Sequence, residues 1–211
     1  PSLETTNELM RQCDLVLATG GGAMVHAAYS SGSPALGVGV GNAVITVDDT
    51  ADLDAAAEKI RLSKTLDLAA SCSSDNSVVL LDGIYEPMLE KLKAQGGYLC
   101  NEEEKAALRN TLWDEELHLN TAIVAQPPEK IAQMAGLSIP EETKFFIVPE
   151  EGWGPEHPFS GEKLSVIMAL YRARDIDHAI ELTQNIQAYQ GQGHSCGIYS
   201  RSDENLSLIH I

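Results

Sequence analysis

Cys72 stands in a run of small and polar residues, Ala69-Ala70-Ser71-Cys72-Ser73-Ser74-Asp75-Asn76, just ahead of an apolar, strand-like stretch from Ser77 to Leu81. A thiol so placed has room around its sulfur and backbone amides for an oxyanion, the conditions under which cysteine acts as a nucleophile. On an apolar face the same residue is a small buried hydrophobe, and both readings stay open from the residues alone. Cys13, Cys100 and Cys196 lack these surroundings and read as packing or surface thiols. His194, in Gly191-Gln192-Gly193-His194-Ser195-Cys196, leads into another strand-like stretch. It can hold a structural hydrogen bond or exchange a proton with a thiol. Gly20-Gly21-Gly22 follows a short apolar strand and precedes Ala23 to Tyr29, which has no helix breaker. Glycines there let backbone amides approach a phosphate or a flat ring, and a tight strand-to-helix turn accounts for them equally well. His26, His118, His157 and His178 have no partners at metal-ligand spacing, so no metal site is expected.

Apolar runs of strand length alternate with helical patterns, which argues for an α/β fold: a mostly parallel sheet in three layers, with helices on both faces. Strands are expected near Asp14–Ala18, Ala35–Gly37, Ala43–Val47, Ser77–Leu81, Thr121–Ala125, Lys144–Val148, Ser165–Tyr171 and Ser195–Tyr199. Helices are expected over Thr50–Leu66, with Thr50 and Asp52 able to receive free amides, and over Ile84–Ala94, ending at Gly96-Gly97. Two more run from Pro128 to Ala135 and from Asp175 to Ala188. The longest irregular stretch, Pro149 to Gly161, is rich in Gly, Pro and acids, the kind of loop that often carries function.

The chain has 31 acidic and 14 basic side chains, a formal charge of −17, and no cluster of Lys and Arg. Nucleic acid and anionic membrane surfaces are therefore not expected partners. No apolar run approaches the roughly 20 residues that span a bilayer. Four scattered cysteines suit neither a disulfide scaffold nor a metal site and fit a reducing, cytoplasmic setting. The sequence starts at Pro1 and is read as a piece of a longer protein, whereas Leu206 to Ile211, His210 included, continues no pattern and is read as a non-native tail.

Ala18-Thr19-Gly20-Gly21, Ala27-Ala28-Tyr29-Ser30-Ser31-Gly32 and Ala35-Leu36-Gly37-Val38-Gly39-Val40-Gly41-Asn42, followed downstream by Cys72, resemble the second half of an aldehyde dehydrogenase. The resemblance is to the acylating, coenzyme-A-dependent branch. That branch includes the aldehyde dehydrogenase part of bifunctional alcohol/aldehyde dehydrogenases, propanediol- and ethanolamine-pathway enzymes and acylating sulfoacetaldehyde dehydrogenase. Val38 stands where hydrolytic relatives carry the glutamate that activates water. Without that base the acyl-enzyme waits for a thiol, whose free pKa of about 8.5 makes it far easier to ionise than water. Pro158-Phe159-Ser160-Gly161-Glu162-Lys163-Leu164-Ser165 resembles the family segment whose glutamate holds the nicotinamide ribose, although Val166 stands where the family often has proline.

The resemblance implies Cys72 and His194 as catalytic residues, and Thr19, Gly20, Gly21, Glu162 and Leu164 as cofactor-binding residues. It implies NAD or NADP as cofactor and coenzyme A as co-substrate, acting on sulfoacetaldehyde or a short-chain aldehyde in a homo-oligomeric parent. Residues 1–42 would close the cofactor-binding domain, residues 43–205 would form the catalytic domain, and residues 206–211 the tail. With the adenine-side half truncated, the piece itself is expected to be inactive. The alternatives are a hydrolytic aldehyde dehydrogenase, a cysteine hydrolase or amidotransferase using Cys72 and His194, and a catalytically silent structural relative.

Overall fold

The computed structural model describes residues 2–208, and the chain divides between Val40 and Gly41 into two units. The first holds α1 (Leu3–Gln12), β1 (Val16–Thr19), α2 (Gly22–Tyr29) and β2 (Ala35–Val38), with β1 and β2 paired in parallel. Parallel strands need a crossover, and α2 supplies it. Gly37 is required by a close approach: a Cβ there would lie 2.6 Å from Val25 and 2.9 Å from the Tyr29 ring. The Gly37 amide instead donates to Tyr29 Oη at 3.0 Å.

The second unit contains β3 (Ala43–Val47), α3 (Leu53–Thr65), β4 (Asp75–Leu81), α4 (Tyr85–Ala94), β5 (Gly97–Leu99) and α5 (Glu102–Leu112). It continues with α6 (Pro128–Ala135), β6 (Phe145–Pro149), β7 (Ile167–Ala173), α7 (Ile176–Tyr189), β8 (Cys196–Tyr199) and α8 (Asp203–Leu208). Its strands form one sheet in the order β5-β6-β7-β4-β3-β8, parallel at every pairing. Every residue of β4 is buried, so both faces of the sheet centre are covered, as parallel sheets require. Helix α7 packs on β3, β4 and β7, while α3 and α4 pack on each other and on β4. Because all strands run the same way, the segments entering β7, β4, β3 and β8 emerge side by side at one end of the sheet.

The expected helices form with the expected ends. Asp52 accepts from the Ala55 amide, Asp175 from the His178 amide, and Gly96 and Gly136 take left-handed backbone. The strand expected at Thr121–Ala125 is instead a short 3-10 turn over Thr121–Ile123. Asn120 explains the difference: its side chain accepts from the Ala122 amide at 3.0 Å, which closes the chain into a turn despite β-branched residues. Strand β5 escapes the pattern because it is only 3 residues long. The acids Glu102 to Glu104 open α5, where Asn101 and Glu104 form a reciprocal capping box. Leu206 to Leu208 lie within α8, and residues 209–211, with His210, lie outside the described residues.

Candidate active site

Cys72 precedes β4, His194 precedes β8, Glu162 precedes β7, and Gly41-Asn42 precede β3, so four neighbouring strands deliver four segments to one place. There His194 Nε2 lies 3.3 Å from Cys72 Sγ. The other imidazole nitrogen, Nδ1, lies 2.8 Å from Ser195 Oγ. Cys72 itself sits in a tight turn closed by Ser74 N donating to Ser71 O at 3.1 Å. The Ser73 amide points at Ser71 Oγ at 3.4 Å, while the Cys72 amide has no protein acceptor among the described residues. The chain enters this turn through three consecutive left-handed residues, Asp67, Leu68 and Ala69, with φ of 46°, 53° and 58°. Non-glycine residues take that conformation at a cost of about 1–2 kcal/mol each, so the surrounding packing must hold it in place.

A buried pair of asparagines ties the segments together. Asn42 Nδ2 donates to Ser160 O at 2.8 Å and to Gln190 O at 3.1 Å, while its Oδ1 accepts from Asn76 Nδ2. The Asn76 amide also reaches Gly161 O at 2.7 Å. Thus the strand behind Cys72, the segment before Glu162 and the loop before His194 share one hydrogen-bond network, costly to leave half-satisfied. Gly41 completes the contact. Its amide donates to Glu162 Oε1 at 2.9 Å, and a Cβ on it would lie 2.7 Å from that oxygen and 2.8 Å from Cys72 Cβ. Only glycine permits this approach, which seats the Glu162 carboxylate and the Cys72 side chain against the same backbone.

The site is backed by buried charge. Lys64, from the last turn of α3, is 1% exposed, and burial pulls its ammonium down to about 7 against the opposing pull of Asp75 and Glu162. Asp75, at the start of β4, is pushed up to about 6 by burial, opposed by its Ser63 hydrogen bond and Lys64. Burial also raises Glu162, opposed by the Gly41 amide, Lys163 and Lys64. Lys163 is fully buried, lies far below the ordinary lysine range for the same reason, and donates to Phe159 O at 2.6 Å and Gly161 O at 3.0 Å. Glu162 and Lys163 are therefore not an ordinary surface pair.

Of the residues singled out from sequence, the structure brings Cys72, His194 and Glu162 together. Leu164 lies just beyond Glu162 with a left-handed φ of 44°, and its carbonyl accepts from the Ala125 amide at 3.1 Å. Thr19, Gly20 and Gly21 lie in the first unit, at the β1–α2 turn. There Gly20 N donates to Val38 O at 3.1 Å, Gly21 starts α2 without a side-chain cap, and space is open where Gly21 and Gly22 would carry a Cβ. Cys100 is buried, with its thiol pushed up to about 12 by burial, while Cys13 and Cys196 are exposed. Asn42, Asn76, Gly41 and Lys64 were not singled out. The signal available for them was only that amide, glycine and lysine adjoin the strands and helix that frame Cys72.

A parallel α/β sheet delivering a thiol and an imidazole to one end defines a class. The chain is homologous over nearly its whole length to acylating aldehyde dehydrogenases. Among these, it is 46% identical over 201 residues to the acylating sulfoacetaldehyde dehydrogenase of Cupriavidus necator, covering 94% of this chain and 41% of that protein. Its structure matches an acetylating aldehyde dehydrogenase from Geobacillus thermoglucosidasius with a TM-score of 0.96 and 39% identity, covering 100% of this chain and 47% of the other. It also matches a Rhodopseudomonas palustris propionaldehyde dehydrogenase, solved with bound CoA and an acylated cysteine, with a TM-score of 0.89 and 25% identity over 99% of this chain and 47% of that one. The chain therefore spans less than half the length of each of these three proteins. No family model matches it.

Proposed function

We propose that this chain carries the thioester chemistry of an acylating aldehyde dehydrogenase, which converts an aldehyde, NAD(P)+ and coenzyme A into an acyl-CoA, NAD(P)H and a proton. The observation that carries the reading is the 3.3 Å approach of His194 Nε2 to Cys72 Sγ beside Glu162. His194 takes the thiol proton, and Cys72 sulfur attacks the aldehyde carbon. The Cys72 amide, without a protein acceptor among the described residues, is a donor available to the resulting oxyanion. The nicotinamide cofactor, when bound, accepts the hydride whose loss turns the adduct into a thioester. Glu162, held in place by the Gly41 amide, is the residue to bind its ribose. The uncapped α2 turn at Thr19, Gly20 and Gly21 presents free amides and open space suited to an anionic cofactor group. His194 gives up that first proton to solvent and then takes the proton of the incoming coenzyme A thiol, whose sulfur attacks the thioester carbon and displaces Cys72 as its thiolate. Residues 1–42 serve as the end of the cofactor-binding domain and residues 43–205 as the catalytic domain. A short aldehyde, sulfoacetaldehyde included, is the substrate class the relatives suggest.

The reverse acyl transfer needs neither nicotinamide nor the oxidation step, so this half-reaction tests the reading on this chain even though full turnover by the piece is not expected. Incubation with propionyl-CoA should place one propionyl group on the Cys72 peptide, detected by mass, with release of one equivalent of free coenzyme A. Cys72→Ser should abolish both signals. Acylation spread over Cys13 and Cys196, or none at Cys72, would overturn the proposal.

A further inference from the structure

The Cys72–His194 pair has a third member. Ser195 Oγ lies 2.8 Å from His194 Nδ1, on the side of the ring away from the sulfur. We propose that Ser195 is a positioning residue that fixes the orientation and tautomer of His194, so that Nε2 faces Cys72 as a proton acceptor; this rests on the thioester reading above. When the hydroxyl oxygen accepts from Nδ1–H, the lone pair of the neutral imidazole lies on Nε2, at 3.3 Å from the thiol. Once the proton has moved from sulfur to Nε2, Nδ1–H continues to donate to the same oxygen, so the imidazolium forms with no change of partner.

Ser195 is able to do this because its backbone is held. Gln187 Nε2, on α7, donates to Ser195 O at 2.7 Å, and the His194 amide donates to Gly191 O at 2.9 Å. Gly191, with φ of +86°, packs so closely on Asn42 that a Cβ would lie 2.6 Å from the Asn42 Cβ. The loop that aims the hydroxyl is therefore pinned to the same asparagine that ties down the Cys72 and Glu162 segments. A hydroxyl also differs from the carboxylate found behind many catalytic histidines. It orients the ring without adding a negative charge that would hold the imidazolium, and a base that must take up and release protons in successive half-reactions benefits from the weaker hold. The charged groups surrounding the pair are Glu162, across Gly41, and behind it Lys64, Asp75 and Lys163. None of them reaches Nδ1 in a hydrogen bond.

Alkylation of Cys72 by iodoacetamide, followed on its own peptide across pH 5.5 to 9.5 in the full chain, reads the pair without requiring turnover. Ser195→Ala should slow alkylation near neutral pH about three- to tenfold, the scale of one lost hydrogen bond, and move the rise of the profile to higher pH. Ser195→Thr, which keeps the hydroxyl, should follow the native profile. Ser195→Asp should move the rise to lower pH, because a carboxylate favours the thiolate–imidazolium pair. An unchanged profile in Ser195→Ala, or a Thr variant as slow as Ala, would overturn the proposal. His194→Gln separates this from the parent reading. If that variant leaves the profile unchanged, the Cys72–His194 pair itself fails; if it alters the profile while Ser195→Ala does not, only the role of Ser195 fails.

Discussion

The two ends of the six-stranded sheet each hold a histidine, in different company. At the end where strands begin, His194 faces the Cys72 thiol and the hydroxyl of Ser195. At the end where β6 and β7 finish, His157 Nδ1 lies 2.8 Å from the Glu150 carboxylate, whose side chain is 2% exposed. The same carboxylate oxygen also takes Lys105 Nζ at 3.2 Å and the Glu151 amide at 3.1 Å. A cavity of about 620 Å³ lies there too, lined by Lys105, Arg109, Glu150, His157 and Arg172 among others. Open parallel sheets usually bind ligands beyond the carboxyl ends of their strands, which would direct attention to that cavity. Yet Lys105, Glu150 and His157 there are bonded to one another, Arg172 is bonded to Asp82 and Glu86, and no cysteine or serine lines the cavity. The starts of the strands hold the thiol and imidazole 3.3 Å apart. On the proposed reading, the juxtaposition of a thiol, a base and the close approach at Gly41 outweighs volume and strand polarity.

The largest expected effect separates the two histidines directly. His194→Ala should reduce the rate of Cys72 acylation by propionyl-CoA about 10²- to 10⁴-fold, the usual contribution of a positioned base. His157→Ala should leave that rate within about twofold, since it alters only a hydrogen bond to Glu150 at the far end of the sheet. Stopped-flow release of free coenzyme A measures both. Equal losses in the two variants would erase the distinction between the ends of the sheet.

A smaller effect concerns how the reactive end is held. Asn42→Ala removes the donor to Ser160 O and Gln190 O and the acceptor of Asn76, leaving buried polar groups unpaired. It should cost about 1–3 kcal/mol in urea unfolding, and Cys72 alkylation should slow as its neighbours loosen. A variant equally stable and equally reactive would show that the asparagine pair does not organise the site.

The contrast between the ends also explains what could be read before the structure. Parallel strands announce themselves as apolar runs, and Asp52, Asp175, Gly96 and Gly136 mark helix ends through local chemistry, so the architecture was legible. Cys72 stood out because its neighbours are small and polar, and His194 because of the motif it shares with a known family. Asn42 and Asn76 did not stand out, because their importance comes from contacts between residues far apart in sequence, and an isolated asparagine before a strand has no local signature. The same applies to Gly41, whose need for a missing side chain exists only once Glu162 and Cys72 arrive. Thr121 to Ala125 failed in the opposite direction: its composition favours a strand, but the Asn120 side chain captured the backbone first.

The subtlest difference lies in the lysines. Lys105, at the cavity end, is partly exposed and paired with Glu150 at 3.2 Å. Lys64, behind Cys72, is 1% exposed, has no ion pair within 4.0 Å among the described residues, and is pulled by burial from 10.5 to about 7. In the unfolded chain it keeps its proton until near 10.5, so between those values the unfolded state binds a proton that the folded state has released. Stability from this residue must therefore rise with pH across that window. Asp75, pushed up to about 6, is ionised in both states above pH 7 and contributes little to the slope there. Urea unfolding of the native chain and of Lys64→Met at intervals from pH 7 to 9 should show the native chain gaining on the variant, by at most about 1.4 kcal/mol per pH unit. A difference that stays flat, or moves the other way, would mean that Lys64 remains charged in the fold. The two carboxylates beside it would then be holding a buried cation, as Glu150 holds Lys105, and the ends of the sheet would be more alike than their burial suggests.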